Sequence, residues 1–198
     1  MKPLTFKQYR QIDLTILCII TAIFEAIATL ASNQWFALQA MTVSIVLTLT
    51  CITMMRWGAY AVIPAFVGAL VYCYVSKATL PQYFIYCLGS LFCLLPLPLL
   101  WILGKEKVRT NFVIRMLFII EVYLVIGVGR WICSLPFNFT INTLSVFIFA
   151  DILSLLFAIV VLTISKNIDG LIEDQKSYLL RLERERKAEQ EANLNDPF

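Results

Sequence analysis

Residues 18–32 read CIITAIFEAIATLAS, an apolar run that also holds an acid, three hydroxyls and a spaced pair of alanines. On a helix of 3.6 residues per turn, Thr21, Glu25 and Ser32 fall within about 40° of one another. Ala22 and Ala26 form a small-xxx-small pair on a neighbouring edge, the spacing that lets two helix backbones approach closely in lipid. Glu25 lies well inside hydrocarbon depth, where an ionisable group is expensive and marks a functional site by default. The run therefore predicts a membrane helix with one edge for close packing and another for something polar.

The rest of the chain agrees with that setting. Its 198 residues are 60% hydrophobic and 15% charged, with a mean hydropathy of +0.81, a mix that belongs to a polytopic membrane protein. The first apolar run is too long for the core of a cleaved signal peptide, lacks a cleavage site and is followed by further spans. The net charge of +3 is small and unevenly placed, and no nucleic-acid partner is expected. Cys18, Cys51, Cys73, Cys87, Cys93 and Cys133 all lie in apolar runs without CxxC spacing, and read as small buried apolar residues. The chain contains no histidine, which removes His-ligated haem, His-based zinc sites and Ser-His-Asp chemistry. No cofactor is expected.

Hydropathy predicts six spans, near 12–32, 38–55, 59–76, 82–103, 111–134 and 143–165, each long enough to cross a ~30 Å core. Lys2, Lys7 and Arg10 precede the first, and Arg56 lies between the second and third. Lys105, Lys107, Arg109 and Arg115 mark the fourth-to-fifth junction, and Lys166 follows the sixth. The three intervening loops hold only Lys77, so the positive-inside rule puts both termini in the cytoplasm. The predicted fold class is an all-α membrane protein: a domain of six transmembrane helices over 1–166 in the cell membrane, multi-pass and of bacterial plasma-membrane type, and a charged cytoplasmic helical tail over 167–198.

Within the spans, Ala61, Ala65 and Ala69 recur every four residues beside Gly58, Pro64 and Gly68, a stripe for close packing inside one bundle. Pro96 and Pro98 should bend or break the fourth span. In the tail, Leu171, Ile172, Tyr178, Leu179 and Leu182 confine the apolar residues to the first half. That half either docks on the membrane domain or a partner, or belongs to a solvated helix. Asn138-Phe139-Thr140 matches a glycosylation sequon, a triplet common by chance.

Four ionisable residues lie inside spans: Glu25, Glu121, Arg130 and Asp151. Counted from the outer helix ends at ~1.5 Å per residue, Glu25 is ~10 Å deep, Arg130 ~6 Å and Asp151 ~12 Å, so three helices bring charges to one layer. Tyr123, Gly127, Arg130 and Ser134 share a face of the fifth helix, as do Asp151, Ser154, Ala158 and Ser165 on the sixth; Glu121 points away from Arg130. One reading is a polar cavity open to the outside that holds a small zwitterion or a charged, ring-bearing metabolite. Its candidate substrate-binding residues are Glu25, Arg130, Asp151, Tyr123, Ser154, Trp35 and Tyr83. Two acids against one base leave a negative surplus for a ligand ammonium or a proton to answer. The other reading is that Arg130 pairs with Asp151 or Glu25 to hold helices together. Trp35, Phe36, Tyr83, Tyr86 and Trp131, near the outer ends, either close such a pocket or form an interfacial aromatic belt.

The segment Ala22-Ile-Phe-Glu-Ala26, together with residues 55–70, MRWGAYAVIPAFVGAL, resembles the substrate-binding S components of energy-coupling factor (ECF) transporters. An Arg/Gly turn leading into a small-residue-rich third span is the shared feature, and the general pattern covers roughly residues 8 to 166. The resemblance implies a protein without catalytic activity of its own that captures a micronutrient from outside. Its partners would be the lipid bilayer, a small-molecule ligand, a transmembrane coupling subunit and two ATPase subunits. Ala22 and Ala26 would then be the docking face for the coupling subunit. The tail is longer than such proteins usually carry. A second resemblance is to MreD, the small six-span scaffold of the cell-elongation machinery, in which the charges would be interhelical pairs. A membrane enzyme is not expected: there is no CDP-alcohol phosphotransferase motif, no HExxH and no Ser/His pair.

Overall fold

A helix in a membrane turns its polar residues inward and its large apolar ones out, and α1 (Phe6–Trp35) does this along its length. Its buried residues are Leu14, Leu17, Thr21, Glu25, Thr29 and Ser32, a stripe at spacings of three and four. Ile16, Ile19, Ile23, Phe24, Ile27 and Leu30 are each at least half exposed. The computed structural model describes residues 5–35 and 41–195. The helix starts where it does because Thr5 and Gln8 cap it reciprocally: Thr5 N donates to Gln8 Oε1 (3.0 Å) and Gln8 N to Thr5 Oγ1 (3.4 Å).

After α1 come α2 (Val46–Trp57), α3 (Val62–Val75), α4 (Leu80–Leu91), α5 (Leu97–Leu103) and α6 (Lys105–Thr110). The chain continues through α7 (Phe112–Ser134), α8 (Asn142–Ala150), α9 (Ile152–Ser165) and α10 (Gln175–Asn195). No strand occurs among the described residues. By length and apolar composition four helical stretches can cross a membrane: Phe6–Trp35, Val46–Val75, Leu80–Leu103 and Phe112–Phe137. A fifth is the pair α8 and α9, bent by 41°.

The stretch Val46–Val75 is not one rod. A straight helix would hold Val46 and Gly68 about 33 Å apart, yet a Cβ on Gly68 would sit 2.3 Å from Val46 Cγ2. The chain reverses at the 3₁₀ turn Gly58–Ala61, led by Gly58 at φ 61°, ψ −120°, a backbone conformation open to glycine alone. Gly68 lets the two arms of this hairpin touch. All twelve residues of α2 are buried, making it the central helix. Cys51, Met54 and Met55 on α2 form one core with Phe118, Ile119 and Val122 on α7 and Ala158 and Leu162 on α9. The predicted stripe Ala61, Ala65 and Ala69 is buried within the bundle.

Three details depart from, or refine, the sequence expectation. The second span was placed from residue 38, but residues 36–40 lie outside the described residues, and the helix starts only at Val46, because residues 42–45 find hydrogen-bond partners on side chains of α1 and α9 and on the Ala150 carbonyl of α8. The fourth span is broken where its prolines predict: α4 passes through a 3₁₀ turn (Phe92–Leu94), and α5 restarts with proline in its first turn. The sixth is broken at Asp151. All six cysteines are free, four of them buried and Cys18 and Cys133 half-buried.

The first part of the tail docks. Arg56 Nη1 donates to the Gly170 carbonyl at 2.7 Å and to that of Leu171 at 3.2 Å. Gln175 is fully buried, its amide donating to Gly170 O (2.7 Å) and its Oε1 accepting from Tyr9 OH (3.1 Å). Lys105 pairs with Asp174 and Arg109 with Glu173 at 2.8 Å. Gly170, at φ 71°, lies against the Tyr178 ring, where a Cβ would meet the ring at 2.7 Å. From Glu183 to Ala188 the helix is exposed, as in the solvated alternative.

Candidate functional site

The non-helical residues 41–45 need hydrogen-bond partners where lipid offers none. Three helices supply them. Val43 N donates to Ser32 Oγ (3.0 Å) on α1, Ser44 N to Ser154 Oγ (2.8 Å) on α9, and Thr42 N to the Ala150 carbonyl (2.8 Å) at the end of α8. Glu25 caps the start of α2: its Oε2 accepts from Ile45 N and from Ser44 Oγ, both at 2.9 Å. A carboxylate at a helix N-terminus is well placed for the helix dipole as well. Of the stripe Thr21, Glu25 and Ser32, Glu25 and Ser32 therefore face a strap of backbone that runs between helices, while Thr21 Oγ1 donates to the Leu17 carbonyl of its own helix.

The strap and the break at Asp151 meet around one cavity. Its lining includes Glu25, Thr42 and Ser44 together with Tyr72, Tyr86, Tyr123, Arg130, Asp151 and Ser154. Arg130 Nη1 pairs with Asp151 Oδ2, and Thr42 Oγ1 donates to the other oxygen, Asp151 Oδ1. The Arg130 guanidinium lies 4.7 Å from the centroid of the Tyr86 ring, within cation–π range, and Tyr86 in turn contacts the Tyr72 ring at 4.9 Å. Tyr123 OH donates to the Ile148 carbonyl. Gly89 brings α4 against this centre: a Cβ there would meet the backbone of Arg130 at 2.9 Å, so no larger residue fits without moving the guanidinium.

Glu25, Arg130, Asp151, Tyr123 and Ser154 are thus brought together, as their depths and faces predict. Trp35 and Tyr83 are not. Trp35 stands 76% exposed at the end of α1, and Tyr83 is half-buried on α4 outside the lining; Phe36 lies outside the described residues. Tyr86, one of the aromatics read as either closing the pocket or forming the belt, lines the cavity. Thr42, Ser44 and Tyr72 are additional lining residues. Their signal in the sequence is faint: hydroxyls read as part of a regular span, and one tyrosine among apolar neighbours. Ala22 and Ala26 are half-buried, and Ala22 borders a shallow groove with Ile63 and Val67 along the seam of α1 and α3. Glu121 sits elsewhere, half-buried, with Oε2 unpartnered among the described residues.

Two polar atoms at the cavity remain unpartnered among the described residues although buried: Glu25 Oε1 and Arg130 Nε. The cavity volume is about 30 Å³, room for one or two waters and far below the few hundred Å³ of a metabolite site. A larger ligand would fit only if the lining parted. Neither a family model nor a curated protein nor a solved structure matches this chain.

Proposed function

We propose that this protein is the substrate-binding S component of an ECF-type importer, capturing a small micronutrient for uptake driven by partner ATPases. The observation that carries the reading is the meeting of two non-helical stretches, the strap at 41–45 before α2 and the break at Asp151 between α8 and α9, around one cavity with both signs of charge. Interrupted helices whose backbone lines a cavity are how transporters build a site at membrane depth. In this reading Arg130 anchors the acidic part of the ligand, Tyr72 and Tyr86 receive a ring, and the strap is the part that moves to admit it.

The reading includes six crossings, with the hairpin at Gly58–Ala61 separating the second from the third. Both termini then lie in the cytoplasm of a bacterial plasma membrane, on the side of the basic junctions. Ala22 and Ala26 serve as the docking face for a transmembrane coupling subunit, with two ATPase subunits beyond it. No step of this function is catalytic.

One observation favours a second reading, an MreD-like envelope scaffold: Arg130 already pairs with Asp151 at the site, tying α7 to the junction of α8 and α9. A thermal-shift screen of the purified protein against vitamins and amino-acid-like metabolites separates the two, because a ligand that binds only the folded state raises its stability. A single stabilising compound supports the importer; none, with cell-elongation proteins co-purifying, supports the scaffold. Ala22→Leu tests docking separately: it should block assembly with the coupling subunit and spare ligand binding.

A further inference from the structure

Two carboxylates and one guanidinium line the cavity, and they are not equally matched. Asp151 is answered by Arg130 and by Thr42. Glu25 is fully buried and makes no salt bridge among the described residues: its Oε2 accepts from Ser44 and Ile45, while Oε1 has no partner among them. A buried carboxylate left in this state is strongly disfavoured and must gain a proton or a positive charge. Glu25 lines a space the size of one or two waters, and Thr42, Ser44 and Tyr72 line it too.

We propose that this end of the cavity is a binding site for one compact monovalent cation, held by Glu25 Oε1 with hydroxyl oxygens beside it. A single uncompensated carboxylate calls for a single positive charge. The small volume selects a bare alkali ion or the ammonium head of a primary amine, and rejects a quaternary ammonium group. The site does not depend on the transport reading; in a scaffold it would hold a structural ion. In an importer it would bind either a coupling ion or the amino group of the ligand itself.

The test uses the full-length protein in lipid nanodiscs at pH 8 and constant ionic strength. Thermal unfolding is followed while tetramethylammonium chloride is replaced by sodium, potassium, ammonium or methylammonium chloride. The expected result is a saturable rise in Tm with at least one small cation, about 3–6 °C at tenfold its Kd, absent with tetramethylammonium. Saturation by sodium or potassium identifies an ion site; saturation only by ammonium and methylammonium identifies an amine site. Equal Tm values in all five salts overturn the proposal and leave Glu25 protonated. Glu25→Gln should abolish the ranking. Should that variant not fold, Thr42→Val gives the second arm, expected to weaken the saturation at least threefold; an unchanged ranking and midpoint in either variant overturns the assignment to this site.

Discussion

Arg56 grips Asp13 through two N–H···O bonds, Nε to Oδ2 at 3.0 Å and Nη2 to Oδ1 at 2.7 Å. Its third nitrogen reaches the carbonyls of Gly170 and Leu171. One guanidinium therefore joins α1, the end of α2 and the tail. Trp57 Nε1 adds a further hydrogen bond to Asp13. Arg56→Ala should cost about 3 kcal/mol, because it leaves a largely buried carboxylate and two carbonyls without their donor. It should also free the tail. Thermal unfolding and proteolysis within residues 176–188 measure the two effects. Arg56→Lys should recover only part of either, since an ammonium has no planar fork.

Docking of the tail should also depend on pH. Desolvation pushes the Asp174 carboxyl up, but hydrogen bonding and attraction from Lys105, with Ser177 helping, outweigh it and hold the group below the ordinary carboxylate value. A carboxyl whose pKa is depressed on docking stabilises the docked form above the free value of about 4, and that contribution is lost as pH falls below it. Protease sensitivity of the tail should be flat from pH 5 to 8 and rise below about pH 4. In Lys105→Met it should already be raised at neutral pH.

Gly68 is required by contact, not by backbone conformation. Gly68→Ala should destabilise by about 1–3 kcal/mol, the usual cost of overpacking, since its Cβ would fall 2.3 Å from Val46 Cγ2. Val46→Ala should rescue it. A melting series on the two single variants and the double variant reads the coupling directly.

The Arg130–Asp151 pair separates the two functional readings. Arg130→Ala should lower stability by about 3–5 kcal/mol, the cost of leaving a buried acid unpaired. Arg130→Met with Asp151→Leu should restore most of that stability, because apolar residues of similar size replace a buried pair at little cost. In an importer the double variant folds yet binds no ligand. In a scaffold it folds and works as before.

The residues themselves determined that this is a helical membrane protein, that Pro96 and Pro98 interrupt a span, and that Glu25, Arg130 and Asp151 share a layer. Hydropathy, proline geometry and the 1.5 Å rise of a helix are local rules, and local rules suffice for these. They also placed Tyr123 and Ser154 correctly, because the face of a helix follows from its period. What only the tertiary structure decided is the content of the site. Residues 41–45 leave the helix because Ser32, Glu25, Ser154 and Ala150, distant in sequence, satisfy their backbone. That pairing brings in Thr42 and Ser44. Of the aromatics that could close the pocket, Tyr86 lines it, and Trp35 and Tyr83 stand outside. The tertiary structure also settles which acid Arg130 answers. Partner choice among buried charges depends on distances between helices, and no spacing within one helix records those.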